Sequence, residues 1–378
     1  MMCFYITLAA HYGSNIAGAI YCRSNLMKRF LYLLINEFKL ARTIIPVHLI
    51  ALLQPTLMYA LMTVVLVHPT FDVQILDSST PAGEQLIQAM ADVKTPAGVP
   101  YINPILIEDT AAANSQWITV ELADEQPVAV QHYQLIDSNM VKNYRNRLTA
   151  AALVMWQEAL GKQGIVVVER PLLPTDVPYK LFFGMAMLPM TTMLATALIG
   201  AYTTAQEFEH DTVREYRLAP TQAITILAAR LLRLVLTGWV SATILIICMG
   251  WISGWWPDSI LAIGMILLPI GIVGGSLGVI AGLVTKSSLP SFLIGLAITF
   301  VMWLLGGAFG LVQGFSDVYE AISYFIPNTH AVQLLFPHFY GIRVGDSEFS
   351  ISYLIALSIV MLTIAAFTYR RHIVLRQR

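Results

Sequence analysis

Four residues that could bind a metal ion occur within five positions of the sequence. They are Glu207, Glu209, His210 and Asp211, and carboxylate and imidazole groups are common metal ligands. The cluster has no second histidine and no cysteine, and charged residues are in any case expected where a long apolar segment ends. We therefore interpret the cluster as a charged helix end and predict no metal site.

Other chemistry is not indicated by the motifs. The chain has no GxxxxGK[ST] loop that could hold the phosphates of ATP, and it has neither HExxH nor GxSxG. Its three cysteines, Cys3, Cys22 and Cys248, form no CxxC pair. We predict no catalytic residue, no enzyme activity and no cofactor bound by this chain.

The composition indicates an integral membrane protein. Of the 378 residues, 57% are hydrophobic and 12% are charged, against roughly 25% charged in a soluble domain. Such a chain needs long apolar segments in a solvent other than water. The formal net charge of -1 provides no basic field for nucleic acid.

Six stretches are long and apolar enough to cross a membrane. In the fourth, glycines recur at spacings of three, four and seven, which favours close helix packing. The predicted spans are 43–67, 181–205, 223–250, 259–285, 289–312 and 351–369, and the glycines are Gly264, Gly271, Gly274, Gly275, Gly278 and Gly282.

Between the first and second spans, residues 68–180 carry 13 acidic and 7 basic side chains and must fold in water. Alternating or β-branched stretches predict strands, and apolar residues at helical spacing predict two helices. The fold class that we predict is therefore an all-α bundle of six transmembrane helices with an inserted α+β domain. The strands are expected at 71–76, 117–122, 128–135 and 165–168, and the helices at 80–90 and 140–160.

Lysine and arginine counts predict the orientation. With 68–180 set aside, one side of the membrane has 14 basic residues and the other has only Arg343. We therefore expect both termini in the cytoplasm, 68–180 outside, and a bacterial or archaeal cytoplasmic membrane as the location. Trp251, Trp255 and Trp256 cluster where the third span should meet the outer interface.

Residues 1–42 precede the first span. Residues 1–26 make a poor signal sequence and a poor span, so either Met1 or Met27 could be the true start. From Met27 onward, the pattern predicts an interfacial helix. Its apolar face would hold Phe30, Leu33, Leu34, Phe38 and Ala41, with Glu37 and the basic residues elsewhere.

Ionisable residues are scarce in the spans, which disfavours a carrier driven by an ion gradient. Three candidates exist, namely His48, Arg230 and Arg233. We expect interfacial or structural roles for them, with the two arginines snorkelling to the cytoplasmic interface.

The connection 206–222 reads as a short cytoplasmic helix of alternating charge that ends at Pro220. Glu207, Glu209, Thr212, Leu218 and Pro220 form an E-x-E-x-x-T stretch followed by a proline ending. Here the sequence resembles the permease subunits of type-2 ABC transporters. Their pattern continues with Gly-Lys, where this chain has Ala229-Arg230.

A second match lies in the outer segment 313–350. The family commonly has a P-x-T stretch in a helical segment before the last span, and Pro327, Asn328, Thr329 and His330 occupy that place. The resemblance implies that two permease copies, identical or paralogous, form the path and that each docks a separate ATPase subunit carrying ATP and Mg²⁺.

The resemblance also implies roles for the connection. Glu207 and Glu209 would hold the loop against the ATPase and brace the second span, while Arg214 and Arg217 would face anionic groups of the partner. Thr212 and Pro220 would complete this coupling loop. We expect that changing both glutamates to Lys would abolish docking while the spans still insert.

Two other classes of function stay open. The chain could be a self-contained channel or secondary carrier, or a membrane-anchored scaffold whose outer domain binds proteins. Tight glycine packing favours a transport path over an anchor. A lipid-like or drug-like cargo suits the apolar spans, but the sequence does not identify the substrate or distinguish a homodimer from a heterodimer.

Overall fold

The computed structural model shows two compact units, formed by residues 64–172 and by the rest of the chain. The residues that the structure describes are 15–66, 71–76, 81–93, 100, 102–107, 116–123, 126–133, 149, 151–153, 179–218, 222–308 and 317–373. Predictions for 1–14, for the strand at 165–168 and for most of the helix at 140–160 lie outside them.

Eleven α-helices are named among the described residues. Six of them are long and apolar enough to span a membrane, which supports the predicted multi-pass helical bundle. The six are α2, α4, α6, α7, α8 and α11 of the following set: α1 (Asn15–Ala41), α2 (Ile45–Leu66), α3 (Pro81–Asp92), α4 (Tyr179–Glu209), α5 (Val213–Leu218), α6 (Ala223–Ser253), α7 (Ile260–Thr285), α8 (Ser288–Leu305), α9 (Asp317–Ser323), α10 (Pro327–Tyr340) and α11 (Ser347–Ile373).

In the smaller unit, four strands form one sheet in the order β2-β1-β3-β4. They are β1 (Phe71–Leu76), β2 (Ile102–Ile107), β3 (Gln116–Ala123) and β4 (Gln126–Tyr133). β1 pairs in parallel with β2 and β3, whereas β3 and β4 are antiparallel. The helix α3 connects β1 to β2, and Val73 and Ile75 of β1 pack with Leu86 and Met90 of α3.

The strand β2 was not predicted from the sequence. Asn103 and Pro104 interrupt its apolar pattern, and a proline argues against a central strand because it cannot donate to the ladder. The structure explains the exception, since β2 lies at the edge of the described sheet. β1, β3, β4 and α3 occupy the regions that the pattern predicted, to within two residues at each end.

In the larger unit, α4 is the central helix. Every side chain from Leu181 to Ala201 is buried, and α4 contacts α6, α7 and α8. The glycines of α7 permit a close approach, as predicted. A Cβ atom added at Gly282 would lie 2.7 Å from the carbonyl oxygen of Ala201, so nothing larger than glycine fits without a shift of the backbone.

A proline in α2 creates a polar contact inside the bundle. Pro55 has no N–H, so the carbonyl of Ala51 loses its helical donor. The Ser241 hydroxyl of α6 lies 3.5 Å from that oxygen and 3.2 Å from the oxygen of Leu52. Thr191 of α4 lies 2.9 Å from the same hydroxyl. The Ser241 hydroxyl therefore joins α6 to backbone carbonyls of α2 and to the Thr191 hydroxyl of α4 at one level.

Candidate functional site

The connection between α4 and α6 differs in detail from the predicted short helix. α4 continues to Glu209, so the E-x-E stretch forms the end of a span rather than the start of a separate helix. The chain then turns at Asp211, whose φ is 56°, and α5 follows. The Thr212 hydroxyl closes the turn by donating to the carbonyl of Glu207 over 3.3 Å.

Glu207 faces the interior of the helical unit, and its side chain is 11% exposed. Its carboxylate accepts hydrogen bonds from both Nη atoms of Arg230, the one to Oε2 being 2.9 Å long. It also accepts a bond of 3.0 Å from the Tyr216 hydroxyl of α5. Burial and the nearby carboxylate raise the pKa of Tyr216 well above its usual value, so the phenol stays protonated and donates.

Arg230 is 1% exposed and makes five hydrogen bonds, which is the full number of N–H donors in a guanidinium group. Two go to Glu37 of α1, at 3.2 and 3.1 Å, and one of 3.3 Å goes to the Thr204 hydroxyl. The other two are those to Glu207. The ring of Tyr369 in α11 lies 5.8 Å from the guanidinium carbon, within cation–π range.

Arg233 lies one turn further along α6 and is also 1% exposed. Its Nε is 3.4 Å from Oε2 of Glu37, and its Nη1 donates to the Glu37 carbonyl over 3.2 Å. Two carboxylates and two guanidinium groups thus balance in charge. We call Glu37, Glu207, Arg230 and Arg233 the charge cluster. Removing one partner of such a buried pair typically costs about 3–5 kcal/mol.

Burial of both arginines corrects the expectation that they snorkel to the interface. Glu37 is a second correction, because it was placed away from the apolar face of the interfacial helix. On a helical wheel Glu37 falls between Phe30, Leu33, Leu34 and Ala41, which are the partly buried residues within the part of α1 whose side chains are described, 27–41, while Phe38 is 42% exposed. A charge centred in an apolar stripe could have indicated an ionic partner.

Glu209 points to a different neighbour. Its carboxylate accepts bonds from the Ser288 backbone N–H at 2.7 Å, from the Ser287 hydroxyl at 3.1 Å and from the Ser288 hydroxyl. A carboxylate at the first N–H groups of a helix satisfies unpaired donors and complements the helix dipole. Glu209 therefore connects the end of α4 to the start of α8.

The other predicted coupling residues are arranged differently. Arg214 is exposed and pairs with Asp211 over 2.7 Å. Arg217 belongs to α5, but the placement of its side chain lies outside the described structure, as does Pro220. Among the described residues, no group of three or more His, Cys, Asp or Glu side chains could hold a metal ion.

The predicted outer residues form their own buried group at α10. Pro327 begins the helix, and the Thr329 hydroxyl donates to the Ser323 carbonyl over 2.7 Å. His330 is fully buried. Its Nε2 donates to the carbonyl of Tyr324 over 2.9 Å, and its Nδ1 lies 3.1 Å from the Ser350 hydroxyl of α11. Burial lowers the pKa of His330 despite that carbonyl bond, so the ring is neutral near pH 7.

Comparison with known proteins adds one finding. A family model described as ABC-2 family transporter protein matches residues 69–367, which include the charged connection and α10. Curated proteins provide no match to the chain.

Proposed function

The chain belongs to the ABC-2 family of transporter proteins, and we propose that it is the permease subunit of an ABC exporter. In this proposal ATP and Mg²⁺ bind to a separate ATPase subunit, and the 206–222 connection receives the motion of that subunit. Two permease copies, identical or closely related, would form the path across the cytoplasmic membrane. A lipid-like or drug-like cargo remains our expectation.

One observation carries the proposal, namely that Glu207 and Glu209 link the connection to several helices at once. Through Glu207 the connection is bound to Arg230 of α6, and through Arg230 to Glu37 of α1. Through Glu209 it is bound to the start of α8. Movement of α5 would therefore be passed to α1, α6 and α8 by charged hydrogen bonds, which are stronger than neutral ones.

The proposal divides the roles of the connection. Glu207 and Glu209 brace the membrane helices, and Thr212 holds the turn. Docking falls to the exposed side chains next to them, among which Arg214 is 75% exposed. Arg217 and Pro220 would complete the loop as the family resemblance implies. Residues 68–180 would lie outside the membrane and both termini in the cytoplasm, in accordance with the basic residues.

Co-expression with the candidate ATPase tests the proposal. The variant Arg214→Glu reverses an exposed charge without touching the charge cluster, so folding should be unchanged while copurification of the ATPase and substrate-stimulated ATP hydrolysis decrease. Arg343→Glu, also exposed, is the matched control and should behave as the wild type. If Arg214→Glu and Pro220→Leu both retain the copurifying ATPase and its substrate-stimulated ATP hydrolysis, the connection is not the coupling element.

A further inference from the structure

In the part of α1 whose side chains are described, 27–41, apolar residues lie on two sides of the helix. On one side they are partly buried, and Leu33 packs against the core of the helical unit. On the other side they are exposed, and Tyr32 reaches 73% exposure. Exposed apolar patches of this kind mark contacts with a protein or a membrane. The exposed set consists of Leu31, Tyr32, Ile35 and Phe38.

Basic residues lie on the same side of α1 as the exposed apolar set. Because about 3.6 residues make one helical turn, Lys28 and Lys39 fall near Tyr32 and Ile35 on the helix surface, and both lysines are exposed. Glu37 is the only acidic residue from 27 to 42, and it points to the opposite side, into the charge cluster. The exposed charges of this segment are therefore all positive, namely Lys28, Arg29, Lys39 and Arg42. We call Lys28, Leu31, Tyr32, Ile35, Phe38 and Lys39 the α1 stripe.

The contacts of Glu37 place the α1 stripe at the end of the membrane spans. Glu37 pairs with Arg230 in the first turns of α6, and Arg230 in turn bonds to Glu207 near the end of α4. Both of these helices are long and apolar enough to span a membrane. The chain then turns at Arg42–Ile44 and enters the span α2 at Ile45. Because the ends of three spans lie beside it, α1 is at the level where hydrocarbon meets water.

The charges of the α1 stripe decide between its potential partners. Contact with the same stripe of a second copy would bring lysine against lysine and is disfavoured by repulsion. The hydrocarbon interior is also unsuitable, since a charged lysine there is costly. Apolar and basic residues side by side fit the boundary of a bilayer, where the apolar groups reach the acyl chains and the ammonium groups reach the phosphates. Anionic headgroups add an attraction that zwitterionic headgroups lack.

We propose that the α1 stripe binds the surface of a bilayer that contains anionic phospholipid, with its lysines on the headgroups and its apolar side chains among the upper acyl chains. The proposal goes beyond the proposed function, because it concerns neither the ATPase nor the transported substrate. Glu37 lies on the opposite side of the same helix, so lipid on the stripe holds α1 in place against the arginines of α6. Anionic lipid thereby stabilises the charge cluster.

Spin labelling tests whether lipid covers the stripe. In a full-length chain whose native cysteines are replaced by Ser, a nitroxide is attached to Tyr32→Cys in nanodiscs of dioleoylphosphatidylcholine and dioleoylphosphatidylglycerol. The label should collide more often with oxygen, which concentrates in the bilayer, than with a water-soluble nickel chelate. A label on Arg214→Cys, exposed in the connection, is the aqueous control. Preference for nickel at position 32 contradicts the proposal, and so does shielding from both reagents, because a protein segment would then cover the stripe.

Native mass spectrometry of the full-length chain in detergent tests the selectivity for lipid charge. Dioleoylphosphatidylglycerol and dioleoylphosphatidylcholine are titrated separately, and the first phosphatidylglycerol adduct should form at the lower concentration. Lys28→Gln and Lys39→Gln should each reduce this preference about fivefold, because a basic residue near an anionic membrane surface contributes about 1 kcal/mol. Arg370→Gln and Arg371→Gln are matched controls, exposed and basic at the end of α11, and should leave the first adduct unchanged.

Two outcomes of the titration would overturn the proposal. One is equal binding of both lipids by the wild-type chain. The other is an equal loss of preference in the α11 controls, because the preference would then reflect total positive charge rather than the α1 stripe. All four glutamine substitutions are at exposed side chains, so size-exclusion elution should be unchanged. Neither measurement involves the ATPase, so the result is independent of the proposed function.

Discussion

Glu37 of α1 and Arg230 of α6 form an ion pair with an N–O distance of 3.1 Å, although 193 positions separate them in the chain. Both side chains are nearly inaccessible, at 7% and 1% exposure. A helix that precedes the first span is thus connected to the third span through the residue that also holds Glu207.

Replacing Glu37 by Gln should destabilise the helical unit by about 3–5 kcal/mol, because two buried guanidinium groups lose a shared counter-charge. Thermal unfolding in detergent, followed by size-exclusion chromatography, measures the loss. Glu348→Gln is the exposed control and should change stability by less than about 0.5 kcal/mol. The double variant Glu37→Gln with Arg233→Gln should lose less than the sum of the two single variants.

The two glutamates of the connection should respond differently to replacement by Lys. Glu207→Lys removes a counter-charge from the charge cluster and adds a third cation to Arg230 and Arg233. Folded protein should therefore not accumulate. Glu209→Lys removes a helix cap, worth about 1 kcal/mol, so the protein should accumulate while ATPase stimulation falls. Expression level and stimulated hydrolysis separate these outcomes. The double Lys variant should therefore lose the protein itself, unlike the expectation from sequence alone, and equal accumulation of both single variants would contradict this.

Stability should decrease on acidification because of His330. Its folded pKa is lowered by burial, so the unfolded chain binds the proton more readily. The stabilisation is therefore present above the unfolded pKa of about 6.5 and is lost as the pH falls below it. Melting temperatures at pH 7.5 and 5.5 measure the effect. His330→Gln should reduce the difference, while the exposed His338→Gln should leave it unchanged.

A matched pair of glycine variants tests the packing of α7. A Cβ at Gly282 meets backbone of α4 at 2.7 Å, whereas at Gly264 the nearest atom is 3.9 Å away, on Trp239. Gly282→Ala should cost about 1–3 kcal/mol through overpacking. Gly264→Ala should be neutral or slightly stabilising, because alanine favours helix. Similar melting temperatures for both variants would show that the close approach is not required.

Topology is tested by thiol labelling in a chain whose native cysteines are replaced by Ser. A cysteine at Gly83, in the unit between the first two spans, should react from outside with an impermeant reagent. One at Gln377 should react only after the membrane is opened. The prediction follows from the 14 basic residues on one side against one on the other, and the reverse labelling pattern would invert the orientation.

Features that follow from a repeating sequence pattern could be predicted, whereas contacts between particular side chains of different helices could not. The spans were predictable because a stretch of about twenty apolar residues crosses a bilayer as an α-helix, which satisfies all of its backbone hydrogen bonds internally. Glycines at helical spacing likewise predicted close packing of α7, and the structure shows that the neighbour is α4. By contrast, the partner of Arg230 depends on how α1 packs against α6, and periodicity contains no such information. Glu207 and Glu209, two residues apart, project toward different helices because α4 extends further than the proline pattern suggested.

Arg230 uses all five of its N–H donors, and this has a consequence for sequence variation in the family. The pattern of the family has lysine at this position, and a lysine has three donors, two fewer than the five hydrogen bonds that Arg230 makes to Glu37, Glu207 and Thr204. Arg230→Lys is therefore not conservative here. Positions 37 and 230 should change together among related chains, so that arginine accompanies an acidic residue in the preceding helix and lysine accompanies a neutral one.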